Sequence, residues 1–421
     1  MNNPTLSEAT RIFARIGLLS FGGPAAQIAL MHKELVEERP WLSESQFLSA
    51  LSFCMLLPGP EAMQLATYAG WRLHGVRGGL IAGALFVIPG AFVVLALAMA
   101  YALFGEVPLV EALFLGVKAA VVVIVIDALL KVSRRALKSP LAWGIAVSSF
   151  IAIYVFALPY PLIVALAALI GAIGLRGSLP EMTVENGPAT RPQTLKTVLI
   201  WGNLWAAPLA LLYLSGAQLL TAIGLFFSKL AIVTFGGAYA VLAYMTQTVV
   251  AEHGWISTAT MMDGLGLAET TPGPLILVTE FVGFQAAYNA GGMALGIAGA
   301  FVALWMTFVP CFLWIFTFAP YLSTLSTRPK LSAALAGITA AVVGVILNLS
   351  IWFAAHVLFK ETTQYKHGWF DVLLPSPASL DLAAAGLAVL AGILMFAANL
   401  GMGRTLLIMA LAGLGLHTIG L

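Results

Sequence analysis

The chain has 421 residues, of which 61% are hydrophobic and only 9% charged, with a mean hydropathy of +0.98. A soluble domain carries about a quarter charged residues, so this composition excludes one. Apolar runs recur from end to end, which also excludes a soluble domain on a single anchor. The formal charge of +2 selects no partner, and nothing points to nucleic acid.

In chain order, apolar stretches at 8–36, 44–73, 77–104, 108–130, 140–157, 160–175, 196–214, 217–250, 257–289, 291–318, 331–358, 380–397 and 404–420 predict an all-α polytopic membrane protein. The expectation is about thirteen transmembrane helices. The opening MNNPTLSEATRIFARIG lacks a basic region, apolar core and cleavage site in series. The first helix is therefore expected to act as its own insertion signal. Cys54 and Cys311 both lie in apolar runs and read as buried thiols, not as a disulfide or a metal site.

The stretches 8–36, 44–73, 217–250 and 257–289 exceed the roughly 20 residues that a straight crossing needs. Each contains FGG or PGP. Proline removes an N–H from the helix ladder and glycine frees the backbone, so each is expected to be broken or tilted.

These motifs belong to a duplication. SFGG at 20–23 returns as TFGG at 234–237, an offset of 214 residues. The same offset carries Met31 to Met245, Glu38 to Glu252, Trp41 to Trp255 and Arg15 to Lys229, and Pro58-Gly59-Pro60 to Pro272-Gly273-Pro274. GVKAAVVVIVI at 116–126 matches GITAAVVGVIL at 337–347 after an insertion. Residues 1–177 read as the first copy and 215–421 as the second. Between them lie a polar cytoplasmic linker, 178–195, and a single helix, 196–214.

Placing the N-terminus in the cytoplasm puts most basic residues inside, among them Arg72, Arg77, Lys131, Arg134, Arg135 and Arg404. The odd helix at 196–214 then flips the second copy. The loop with Glu38 is expected outside and its counterpart with Glu252 inside. The repeats read as inverted.

Inverted repeats with interrupted helices mark secondary transporters, whose half-helix ends meet at a substrate site. Free N–H groups at such ends favour an anion. The candidate binding residues are Arg15, Lys118, Lys229, Gly22, Gly23, Gly59, Gly236, Gly237, Gly273, Thr270, Thr271 and Gln64. Phe21, Phe235, Pro58, Pro60, Pro272 and Pro274 define the breaks. Packing kinks without function are the alternative for the breaks, and interfacial snorkelling is the alternative for Arg15. For Lys118 it is a structural ion pair, with Asp127 or a glutamate on another helix; Glu280 and Asp263 are candidate internal partners for these cations. Thr270 and Thr271 could instead bond their own backbone. Glu61 and Glu269 are candidates for proton coupling or charge balance. No motif indicates an enzyme, an ATP-driven pump or a metal or other cofactor.

Several long blocks resemble the chromate ion transporter family in its long, two-domain form. They are SFGGPAAQIALMHKELVEERPWLSESQF (20–47), LLPGPEAMQLATYAGW (56–71), GGLIAGALFVIPGAF (78–92), KLAIVTFGGAYAVLAYM (229–245) and MMDGLGLAETTPGPLILVTEFVGF (261–284). GVKAAVV at 116–122 departs from the family pattern, which has proline after the lysine. The resemblance implies proton-motive export of chromate, a tetrahedral dianion that mimics sulfate, across a bacterial inner membrane, and so chromate resistance. Sulfate or another oxyanion as substrate, and an anion channel, stay open. The partners expected are the oxyanion and the lipid bilayer, with a homodimer kept open.

Overall fold

The computed structural model describes residues 4–21, 23–175, 194–235, 238–322 and 328–418. It is helical, with one β-hairpin among the described residues. The first copy comprises α1 (Leu6–Leu19), α2 (Gly23–His32), α3 (Glu44–Cys54), α4 (Glu61–Phe104), α5 (Pro108–Ala136), α6 (Pro140–Tyr154) and α7 (Tyr160–Gly174). After α8 (Thr194–Leu214) come α9 (Gln218–Val233), α10 (Ala238–Thr246), α11 (Thr258–Thr270), α12 (Val278–Phe318) and α13 (Pro329–Leu358). Strands β1 (Thr362–His367) and β2 (Phe370–Pro375) precede α14 (Leu382–Gly392) and α15 (Met402–Thr418).

The duplication persists in fine detail. Both α2 and α10 continue as one widened π-helical turn, at Lys33–Glu37 and Gln247–Glu252. Both α4 and α12 double back at a two-residue turn, His74-Gly75 and Gly291-Gly292. Gly75 and Gly292 have φ of +61° and +77°, which an L side chain resists. The arms of each hairpin touch through glycine: a methyl group on Gly70 would strike the Gly78 carbonyl, and one on Gly299 the Gly283 carbonyl. The hydropathy reading had already separated 44–73 from 77–104 and 257–289 from 291–318, and these turns mark both boundaries.

Local chemistry sets the helix starts. Thr5, Ser139 and Asp381 cap α1, α6 and α14, each accepting from a backbone N–H three residues on. Ser43 and Gln46 form a reciprocal capping box on α3. Pro108 and Pro140 begin α5 and α6, where a missing N–H costs little.

The chain forms two compact units, and each draws on both copies. One comprises residues 1–99, 178–238 and 271–332; the other comprises 100–177, 239–270 and 333–421. In the first, α8 buries none of its residues, as expected of a helix in lipid. In the second, the copies exchange partners. Gly116 of α5 lies against Met409 and Gly413 of α15, while Gly337 of α13 lies against Ala167 and Gly171 of α7. Small residues allow this close backbone approach.

The first long apolar stretch does not cross straight. Arg15 on α1 and Glu34 beyond α2 are 19 residues apart, about 28 Å along a continuous helix. Their side chains meet at 3.4 Å, so α2 folds back beside α1 after the FGG break. The rings of Phe53 and Tyr68, on either side of the first PGP, are 5.9 Å apart, which also requires a bend. The sequence reading expected 8–36 and 44–73 to be broken or tilted but counted each as one passage, because hydropathy does not distinguish one long helix from two that turn back.

Glu252 lies beside the β-hairpin. A cavity of about 540 Å³ in the second unit is lined together by Ala157, Glu252, and Lys366 and Asp371 of the β-hairpin. The charge reading had expected Glu252 inside.

Candidate functional site

Within the first unit, the broken helices bind each other. The Gly273 amide donates to the Ser20 carbonyl at 2.7 Å, and the Gly59 amide donates to the Thr234 carbonyl at 2.8 Å. Ser20 and Thr234 are repeat equivalents, as are Gly59 and Gly273. Each PGP glycine is thus tied to the FGG break of the other copy. Their φ values of +122° and +93° aim these amides outward from the helical path. The exchange extends to the long helices, since Gly59 lies against Cys311 and Gly273 against Gly90. Gly90 and Cys311 each follow the proline inside their helix, Pro89 and Pro310. Non-helical backbone survives in a membrane only when its polar groups are satisfied, and here each copy satisfies the other.

Two glutamines complete these junctions. Gln64 Nε2 donates to the Pro58 carbonyl and Gln27 Nε2 to the Gly273 carbonyl, both at 2.7 Å. The amides of Gly59, Gly273 and Gln64, read from sequence as donors to an anion, are therefore committed to protein carbonyls. Gln27 was not singled out, since one glutamine in an apolar helix carries no distinctive spacing. Gly23 opens α2 with φ of +79°. Phe21 is 49% exposed, Phe235 half-buried and Thr271 buried. Pro58, Pro60 and Pro272 are half-buried and Pro274 buried. Gly22, Gly236 and Gly237 lie outside the described residues, as does the linker through residue 193.

The charges of this unit divide. Arg15, exposed on α1, pairs with Glu34, which is buried and also accepts from Arg39 at 2.5 Å. Lys229 is exposed at the equivalent position of α9, and Glu61 is half-buried at the start of α4. Glu280 is 3% exposed on α12.

The second unit holds Lys118. Its ammonium lies 2.9 Å from Asp263 Oδ1, and the Tyr101 hydroxyl donates to Asp263 Oδ2 at 2.8 Å. Asp263 belongs to α11 of the second copy and Lys118 to α5 of the first. Gly266 brings the helices together, because a methyl group there would strike Val117. The Asp263 side chain is 7% exposed and that of Lys118 20%, so the lysine is only partly enclosed. Of the partners considered from sequence, Asp263 is the one found; Asp127 pairs with Lys131 one turn away on its own helix, at 2.6 Å. Tyr101 had no sequence signal, since tyrosine at a helix end is an ordinary interfacial residue. In the same unit Tyr239 donates to Glu269 at 2.9 Å. Thr270 bonds the Leu267 carbonyl of its own helix at 2.8 Å, as threonine in apolar helices often does.

The sequence model of the family described as "Chromate transporter" matches residues 7–172 and 221–416. The chain belongs to the chromate transporter family. The two matches cover both copies and leave out the linker and α8. The chain is 32% identical over 344 residues to a probable chromate transport protein of Synechococcus elongatus, covering 81% of this chain and 83% of that one. It is 30% identical over 359 residues to a chromate transport protein of Cupriavidus metallidurans, covering 83% of each. A chromate transport protein of Pseudomonas aeruginosa is 32% identical over 347 residues, 79% of this chain and 77% of that one. No solved structure matches the chain. For this chromate transporter family member, membership supplies an oxyanion as substrate class. The geometry supplies a lysine within a long apolar helix, half-buried and paired with a carboxylate of the other copy.

Proposed function

We propose that this protein exports chromate from the cytoplasm of a bacterium across its inner membrane, by alternating access, and so confers chromate resistance. The inside-negative membrane potential, one part of the proton-motive force, favours outward movement of an anion. The N-terminus is cytoplasmic in this reading, and the two copies are inverted with respect to each other. Lys118 is the principal cation for the dianion. Arg15 and Lys229, at equivalent positions of the two copies, add positive charge, and Glu61 and Glu269 balance charge between cycles.

The observation that carries this reading is the Lys118 ammonium, paired with the buried Asp263 from within α5 while its side chain is only half-buried. An ammonium in a membrane helix costs at least ~2.5 kcal/mol at the bilayer centre, and such residues mark ion pathways. The interlocked breaks support it, because interrupted helices in duplicated halves are the architecture of transporters.

Uptake of chromate into inside-out membrane vesicles, with sulfate as competitor, tests the proposal. Vesicles containing the protein should take up chromate faster than vesicles lacking it, and excess unlabelled chromate should compete better than sulfate. Uptake equal to that of protein-free vesicles would refute chromate transport; stronger competition by sulfate would reassign the substrate.

A further inference from the structure

A lysine that receives a dianion cannot at the same time be fully engaged by a carboxylate. Asp263 Oδ1 occupies one side of the Lys118 ammonium at 2.9 Å. An oxyanion approaching this ammonium meets Asp263 as a competitor of like charge. Two like charges on one cation beside a buried carboxylate repel, and the cheapest relief is for one of them to take a proton. Asp263 is placed to do so because its other oxygen is held by the Tyr101 hydroxyl, which fixes the carboxyl group whether or not Lys118 remains bound to it.

Resting on the oxyanion-transport reading above, we propose that Asp263 is the proton-coupling residue: it takes up one proton when the oxyanion binds at Lys118 and gives it back when the oxyanion leaves. The proton comes from water on the side from which the anion enters and adds to the Asp263 carboxylate. Lys118 stays an ammonium and exchanges its partner, Asp263 for the oxyanion. On the far side the oxyanion departs, the proton leaves Asp263, and the Lys118–Asp263 pair closes again. Each dianion therefore moves with one proton, and the cycle carries one net negative charge. The membrane potential drives that charge outward.

The groups around Asp263 are consistent with this exchange. Lys118 and Glu111 face it from α5 and Tyr101 from α4. Helix α15 also packs on α11 and carries Arg404 and His417 near its two ends. Glu269 lies on the same helix as Asp263 but is engaged by Tyr239.

The test is the proton count on binding. Full-length protein in detergent is titrated with chromate on the alkaline side, where chromate is already the dianion, in weak buffer with a pH indicator. The expectation is about one proton taken up per chromate bound, and affinity that falls about tenfold per pH unit as the solution is made more alkaline. Asp263→Asn should bind chromate with no proton uptake and no pH dependence, and Asp263→Glu should restore both. If Asp263→Asn does not fold, Tyr101→Phe provides the same test. Losing a hydrogen bond to the charged carboxylate eases its protonation, so the binding profile should move to higher pH by about one unit or more. Chromate binding by the wild type without proton uptake, or a Tyr101→Phe profile that does not move, would overturn the proposal while leaving oxyanion binding intact. Failure of the wild type to bind chromate would instead refute the reading on which it rests, and this proposal with it.

Discussion

Gly273 and Ser20 lie 253 positions apart in sequence, yet the amide of one donates to the carbonyl of the other at 2.7 Å. Shifting both partners by the repeat offset gives Thr234 and Gly59, which make the same bond with the roles of the copies exchanged, at 2.8 Å. A pair of contacts related in this way is what a pseudo-twofold axis between the copies produces. Neither break could be left alone in hydrocarbon, where each unsatisfied backbone group costs several kcal/mol.

Substituting either PGP glycine should therefore damage the protein to a similar extent. Gly59→Ala and Gly273→Ala both place a side chain at positive φ, a strain of about 1–3 kcal/mol. The new methyl at 59 would also press on Gln64 and Cys311. Both variants should show a lower melting temperature in detergent and lose most chromate transport. A thermal-unfolding series would check this, and a wild-type melting temperature for either variant would dispose of the interlock.

Lys118→Met keeps bulk and removes charge. A hydrogen bond from a charged donor is worth about 1.5–3 kcal/mol, so chromate affinity should fall about 10- to 150-fold. Membrane insertion should be unaffected, because an apolar residue in α5 costs less than an ammonium. Direct binding measured beside expression level checks both parts, and wild-type affinity would remove Lys118 from the site.

Glu61→Gln and Glu269→Gln are expected to slow transport and leave its pH profile in place, since both are assigned to charge balance. Rates measured across a pH series decide this; a profile flattened by either change would move the coupling role to that residue.

Topology can be checked by thiol labelling. Cysteines placed at Glu38 and Glu252 should react with an impermeant reagent from opposite faces of the membrane. Glu252 should label from the same face as Lys366, with which it lines one cavity. Glu38 should label from the face of the N-terminus, because α2 folds back along α1. Labelling of 38 and 252 from one face would rule out inverted repeats.

Much of the architecture was legible because it is written in local chemistry. PGP and FGG repeat at fixed spacing, and backbone breaks follow from proline and glycine without tertiary knowledge. What the breaks do was not legible. Whether the chain turns back after FGG depends on contacts such as Arg15 with Glu34, and hydropathy is the same for both outcomes. The exchange of partners between copies rests on contacts more than 170 residues apart, such as Gly59 with Thr234, which no local signal encodes. The Lys118–Asp263 pair was half-visible: opposite charges in two apolar stretches predict that they meet something, without saying that it is each other. The β-hairpin had a signal that went unread, Gly368-Trp369 between two short runs, with glycine at the first turn position and φ of +60°.

The central claim is that the chain is a chromate transporter working by alternating access, and tracer counterflow tests it most directly. Liposomes containing the purified protein are loaded with unlabelled chromate and diluted into a trace of labelled chromate, with the membrane potential clamped at zero. Alternating access predicts that label accumulates transiently inside above its outside concentration, and that Lys118→Met abolishes the overshoot. Label that never rises above the outside concentration in wild-type liposomes would contradict the account; simple equilibration would leave an anion channel, and no entry at all would leave no chromate pathway.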